Sequence, residues 1–259
     1  MDVWLPKDYQ GSDKNYRVLY FQDGQNLFNS EWVYYTQTDW AIDETLQQLI
    51  DGGEVDDTIV VGIWNTPKRI AEYMPWDIYQ ATSDEYRAAI EKYLSIEPTS
   101  REYLRFVVEE LKPFIDSNYR TKPGRDDTLM MGSSVGALIS LYGVIEYPDV
   151  FGGAACVSTH WPSSMMVDNP AGNEPVLEYL RRAIPPPGDH RIYFDFGTEE
   201  LDSNYEPHQQ AIDNVMLELG YEHGPLWQTR KFEGEGHSEI YWRERVHIPL
   251  KFLLGPAQD

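Results

Sequence analysis

The 259-residue chain holds one cysteine, eight lysines and no apolar run of membrane-spanning length. A single Cys156 excludes an internal disulfide and a zinc cluster built on cysteine. Within Gly152-Gly-Ala-Ala-Cys156-Val-Ser158 it reads as a core thiol in a buried strand. Positive charge is scarce, with 21 Lys and Arg against 43 Asp and Glu and a net charge of −22. No basic run interrupts that balance, which disfavours nucleic acid and anionic membrane surfaces as partners. Without about 20 consecutive apolar residues there is no transmembrane helix, and no signal peptide is visible. Residues 2–6, Asp-Val-Trp-Leu-Pro, already read as the inside of a strand, which fits trimming from a longer precursor and leaves cytoplasm and periplasm both open. What the chain does have is aromatic mass, 18 Tyr and 8 Trp, against disorder. Its length fits one large α/β domain over residues 1–259.

Residues 129–136, Leu-Met-Met-Gly-Ser-Ser-Val-Gly, are an apolar run that breaks into Gly132-x-Ser134-x-Gly136. This is the pattern of a nucleophile elbow, in which a buried strand turns sharply into a helix and holds a serine hydroxyl clear of the sheet edge. The glycines make room for the turn and for close packing of helix on strand. After the elbow, Leu138, Leu141, Tyr142 and Ile145 fall at i, i+3, i+4 and i+7, the buried face of a helix that Pro148 stops.

Strand patterns are read at Val3–Leu5, Arg17–Phe21, Thr58–Ile63, Thr128–Met131, Gly153–Val157, Arg191–Phe196 and Trp227–Phe232. Helical patterns are read at about 39–51, 101–118, 135–147, 173–182, 205–220 and 240–254. The alternation predicts a mostly parallel sheet flanked by helices. Two long aromatic connections, residues 64–99 (Trp64, Tyr73, Trp76, Tyr79) and 159–189 (Trp161, Met165, Met166), are expected to form lids or substrate walls.

A serine hydroxyl needs a base, and the base an orienting acid, in the chain order serine, acid, histidine. Of the late histidines, His237 lies in a glycine-flanked loop after a strand, whereas His208 and His247 sit in helical patterns and His223 in a turn. The acid should follow the strand Arg191–Phe196, where Gly197-Thr-Glu-Glu-Leu-Asp202 offers Glu199, Glu200 and Asp202; distance along the chain does not choose among them. Asp195, inside the strand, is read as structural. Oxyanion donors are expected from the Val135 amide and from Gln25 or Gly24 in the loop Gln22-Asp-Gly-Gln-Asn26.

With these pieces assembled, the chain resembles the esterase family of α/β-hydrolases that includes enterochelin (siderophore) esterases, S-formylglutathione hydrolases, feruloyl esterases and mycolyl transferases. The resemblance rests on Val3-Trp-Leu-Pro-Lys-Asp-Tyr9, Tyr20-Phe-Gln-Asp-Gly-Gln-Asn-Leu-Phe28, Glu110-Leu-Lys-Pro-Phe-Ile115, the elbow, Tyr147-Pro-Asp-Val-Phe151, Gly197-Thr198 and Gly236-His-Ser-Glu-Ile-Tyr-Trp242. It implies an α/β-hydrolase fold, Ser134 as nucleophile and His237 as base, with no metal or cofactor and a small-molecule ester as substrate. Counting back from the following helix places Asp202 on the family's acid position, and counting forward from Gly197 places Glu200 there. The form Gly-Thr-x-x-Leu-Asp resembles that of the siderophore-esterase branch and favours Asp202. Family members often carry Ser-Pro after the fifth strand, where this chain has Ser158-Thr-His160-Trp161, so the pocket is expected to differ. Substrate contacts are expected from Trp64, Arg69, Tyr73, Trp76, His160 and Trp161, although Arg69 has acidic neighbours that could claim it instead. The leading expectation is a serine carboxylic-ester hydrolase working through an acyl-enzyme. A siderophore trilactone esterase, an acyltransferase and a non-catalytic binding module are its competitors.

Overall fold

The structure, a computed structural model, is described for all residues except 34–35, 85–86, 89–90, 92–95, 163–173 and 257–259. Met165 and Met166 therefore lie outside the described residues. Among the described residues seven strands form one sheet: β1 (Asp2–Trp4), β2 (Arg17–Gln22), β3 (Thr58–Ile63), β4 (Thr128–Ser133), β5 (Gly153–Val157), β6 (Arg191–Gly197) and β7 (Trp227–Phe232). Their order is β1-β3-β2-β4-β5-β6-β7, with β1 antiparallel to β3 and every other pair parallel.

The apolar stretches within β2 and β6, Val18–Phe21 and Ile192–Phe194, are explained by two cores, one on each face. Along β2, Val18 and Tyr20 pack into one core while Leu19 and Phe21 pack into the other. Ile192 and Phe194 alternate with Tyr193 along β6 in the same way. A strand covered on both sides has no solvent face, so the period of 2 survives in the packing but vanishes from the hydropathy.

Among the described residues the helices include α1 (Ile42–Asp51), α2 (Arg69–Tyr73), α3 (Trp76–Ala81), α4 (Ser100–Phe106), α5 (Lys112–Asn118), α6 (Val135–Glu146), α7 (Glu174–Ala183), α8 (Glu206–Glu218), α9 (Glu239–Arg245) and α10 (His247–Leu254). A π-helical turn, Val107–Leu111, joins α4 to α5. The helix expected over 240–254 is divided between α9 and α10. Pro249 lacks the N–H that would bond back to Arg245 and its ring crowds that carbonyl, so one continuous helix is broken at this level. Among the described residues no helix is long and apolar enough to cross a membrane.

Strand order reverses between β2 and β4. That junction, at the carboxyl ends of parallel strands, is where doubly wound sheets open a crevice. The connection after β3 does not stand off as a lid over its described length. It folds into α2 and α3, and Tyr73 and Tyr79 are buried. Large aromatic rings gain more from burial against the sheet than from lining an open wall.

Candidate active site

Ser134 sits between β4 and α6 with φ 58° and ψ −128°, a sparsely populated conformation that costs about 1–3 kcal/mol. The surroundings hold it there. Its N–H donates to Val157 O (3.0 Å), and its carbonyl accepts from Ala137 N (3.1 Å) and His160 N (3.2 Å). A Cβ on Gly132 would stand 2.5 Å from Gly136 O, so the helix can lie this close to the strand only over glycine. The Val135 amide is in the first turn of α6, where backbone N–H groups have no intrahelical acceptor.

The loop after β2 meets the elbow from the other side of the strand-order reversal. Asp23 takes a left-handed conformation, φ 57°, which turns the chain into the short helix Gly24–Asn26. A Cβ on Gly24 would stand 2.2 Å from the Gly62 carbonyl carbon, so this close approach to β3 requires glycine. Gln25, in the first turn of that helix, lines a cleft of about 600 Å³ together with Ser134 and His237.

His237 lines the same cleft. Its Nδ1 lies 2.6 Å from Asp202 Oδ1, and its ring is held edge-on by Trp242 (5.0 Å) and Tyr205 (5.6 Å). Asp202 is buried, and its other oxygen accepts from Ser158 Oγ (2.6 Å) and Gly197 N (2.7 Å). Burial pushes the Asp202 carboxyl up, but the hydrogen bonds from His237, Ser158 and Gly197 outweigh it and the pKa ends below the usual carboxylate range. Glu200, the other candidate acid, accepts the backbone N–H of His237 (2.9 Å) rather than the imidazole. The two carboxylates thus divide loop and ring between them. Asp195 pairs with Arg245 Nη2 (3.1 Å) and accepts from Ser158 N (3.1 Å), a buried structural contact.

The expected substrate contacts scatter. Arg69 does line the cleft, but its guanidinium forms two 2.6 Å bonds to Asp23, so it is already neutralised. Trp64 stands at the rim, edge-on to Trp32 at 4.7 Å; Trp32 is 52% exposed and Trp64 36%. Tyr73 and Trp161 are core side chains rather than cleft walls, and Trp76 packs on Tyr79. His160 is buried, with Nδ1 2.6 Å from the Tyr205 hydroxyl. Burial lowers its pKa to about 4, helped by the neighbouring His237. Thr66 lines both the cleft and an adjoining recess of about 450 Å³ walled by Ile63, Trp64, Tyr103 and Phe106.

Several contributors escape the sequence reading: Trp32, Asn65, Ser158, Glu239 and Arg245. Glu239, in the first turn of α9, faces the cleft and accepts from Asn26 Nδ2 (3.0 Å) and Thr36 Oγ1 (3.2 Å). Burial raises its pKa. Glu239 stood in the segment Gly236–Trp242, and Ser158 stood beside Cys156 and in the segment that departs from the Ser-Pro pattern, but nothing local marked either for a role.

The model of the family described as "Putative esterase" matches residues 1–247. The chain belongs to this esterase family. It is a carboxylic ester hydrolase with an α/β-hydrolase fold. It is 23% identical over 98% of its length to the Bacillus subtilis protein YbbA, spanning 91% of that protein. An IroE-like serine hydrolase from Shewanella oneidensis matches with a TM-score of 0.69 and 19% identity, over 97% of this esterase and 73% of that chain. The Shigella flexneri enterobactin esterase FES, solved in the presence of enterobactin, matches with a TM-score of 0.68 and 17% identity, over 97% of this chain and 53% of its own.

Proposed function

We propose that the esterase works through a Ser134–His237–Asp202 triad and an acyl-enzyme. Ser134 Oγ attacks the ester carbonyl carbon while His237 Nε2 takes its proton. The oxyanion is received by the amides of Val135 and Gln25. The tetrahedral intermediate collapses, the C–O bond to the alcohol breaks, and His237 returns the proton to the leaving oxygen. Water repeats the sequence on the acyl-enzyme and releases the acid. Asp202 keeps the proton of His237 on Nδ1, so that Nε2 is free to accept. The scheme needs neither metal nor cofactor. The observation that carries this reading is the 2.6 Å contact of Asp202 with His237 Nδ1 in the wall of a cleft that the strained Ser134 also lines.

The substrate we infer is a neutral ester with a bulky apolar or aromatic portion. Among the described lining residues Asp23 and Glu239 are acidic and Arg69 is the cation, already paired with Asp23. A strongly anionic substrate finds no free positive charge there. The Trp32–Trp64 edge and the adjoining recess offer apolar surface instead. A siderophore trilactone is the second reading, favoured by the fold shared with the enterobactin esterase of Shigella flexneri. The charge pattern fits its iron-free form better than an anionic iron-loaded one.

The test compares wild type with Ser134→Ala on p-nitrophenyl esters from acetate to octanoate, on an aryl ester and on an iron-free trilactone. We expect the rate to fall by about 10⁴-fold or more in the mutant, and a fluorophosphonate probe to label Ser134 in the wild type only. Undiminished hydrolysis by Ser134→Ala would overturn the reading.

A further inference from the structure

We propose that Ser158, held by Arg245 and Trp242, is a positioning residue that commits Asp202 to the ionised state and to His237. The inference rests on the triad reading above and concerns what keeps its acid in one state.

Ser158 follows β5 and is completely buried. Its φ is +44°, a left-handed conformation that glycine adopts without strain and serine does not. A non-glycine residue kept at such a position points to a task for its side chain. A serine hydroxyl has one proton and two lone pairs, and here all three are assigned. Arg245 Nη2 donates to Ser158 Oγ at 2.9 Å and Trp242 Nε1 donates to it at 3.0 Å. Neither partner can accept a hydrogen bond. The hydroxyl proton therefore has one direction left, toward Asp202 Oδ2 at 2.6 Å. Gly197 N–H reaches the same oxygen at 2.7 Å. With Oδ2 occupied twice, Oδ1 is the oxygen that faces His237.

The chain of donors runs one way, from guanidinium to hydroxyl to carboxylate, so each bond polarises the next. Its root is fixed. Arg245 is buried, bonded to Asp195 (3.1 and 3.4 Å) and to Glu235, and lies over the Phe232 ring. Asp195 in turn accepts from the Tyr193 hydroxyl (3.0 Å). Around the imidazole itself stand Asp202, Glu200 on the backbone N–H, the rings of Tyr205 and Trp242, and the titratable side chains of His160 and Glu239. Ser158 links the Arg245 cation to the Asp202 anion.

Removing the hydroxyl takes one donor from Asp202. A carboxylate with fewer donors is more basic and holds the imidazolium more tightly, so the pair takes up its inactivating proton at higher pH. The measurement is the rate of Ser134 phosphonylation by a fluorophosphonate across pH 4.5–9, in wild type, Ser158→Ala and Ser158→Gly. This rate reports the base and does not depend on knowing the substrate. We expect the acid limb to move up by about half a pH unit or more in both variants, with the plateau rate lower by roughly tenfold. Ser158→Gly suits the +44° backbone and carries the test if Ser158→Ala does not fold. Acid limbs that coincide with wild type, whatever happens to plateau or thermal stability, would overturn the role of Ser158. A wild type left unlabelled at Ser134 would instead overturn the triad reading beneath it.

Discussion

The two sides of His237 are built on opposite principles. Behind it, Asp202, Ser158, Asp195 and Arg245 are all buried, and each charge is met by partners that are themselves held. Ahead of it, the cleft is open, rimmed by the half-exposed Trp32 and Trp64 and lined by one ion pair and the Glu239 carboxylate. In the dry region an unpaired polar group costs about 1–3 kcal/mol or more, so every donor there is constrained to one arrangement. In the wet region side chains can change with little loss of stability. On the proposed triad, rigidity is therefore spent on orienting His237 as the base, and adaptability is left to the surface proposed to meet the substrate.

The largest effect should come from breaking the rear side at its tip. Asp202→Asn keeps the shape but loses the charge and the tautomer control, and should lower kcat by about 10³–10⁴-fold. Glu200→Gln, which retains an acceptor for the His237 N–H, should cost less than about tenfold. Steady-state kinetics of the two variants side by side checks the division; equal losses would mean that the ring and the loop are not separately served.

A second prediction concerns pH. His160 has its pKa lowered to about 4 by burial, whereas an unfolded histidine titrates near 6.5. Between those values the unfolded chain binds a proton that the folded chain refuses. Stability is therefore full above about pH 6.5 and falls as pH drops toward 4, by about 3 kcal/mol in total from this one group. Denaturant unfolding of His160→Asn should show a shallower loss across that window than wild type. Parallel curves would remove His160 from the account. The buried Asp202, with its pKa depressed, adds a loss of the same sign at still lower pH.

The smallest effect belongs to the open side. Trp32→Ala and Trp64→Ala should each raise KM for a long or aryl ester by about three- to tenfold, as expected for about 1 kcal/mol of lost aromatic contact. The KM for p-nitrophenyl acetate and the melting temperature should scarcely move. A uniform loss on all substrates would show that the rim supports the rear network rather than the substrate.

Much of this molecule was legible along the chain. Each of the seven strands falls where a strand pattern is read in the sequence, and the elbow is a local device, since Gly132, Ser134 and Gly136 meet one another within five residues. His237 stood out because it follows a strand in a loop that carries Gly234 and Gly236. The choice between Glu200 and Asp202 was not local in the same way. Both lie in one short helical turn, and which of them reaches the imidazole depends on the left-handed backbone at Glu200 and on where β5 and α9 present Ser158 and Trp242. The aromatic connections were the least legible. Tyr73, Trp76 and Trp161 look the same in sequence whether they line a cleft or fill a core, because the burial that separates the two cases is supplied by elements far away in the chain.

The sequence by itself determined the sheet, the elbow and the loops that carry the candidate base and acid, because short apolar segments bounded by turns, turn chemistry and glycine clearance are properties of a few adjacent residues. The tertiary structure alone decided that Arg69 is neutralised by Asp23, 46 positions away, and that Arg245 reaches Ser158 across 87. Those pairings follow from which strand ends and helices the fold brings together, and from the cost of leaving a charge unpaired once it is buried there.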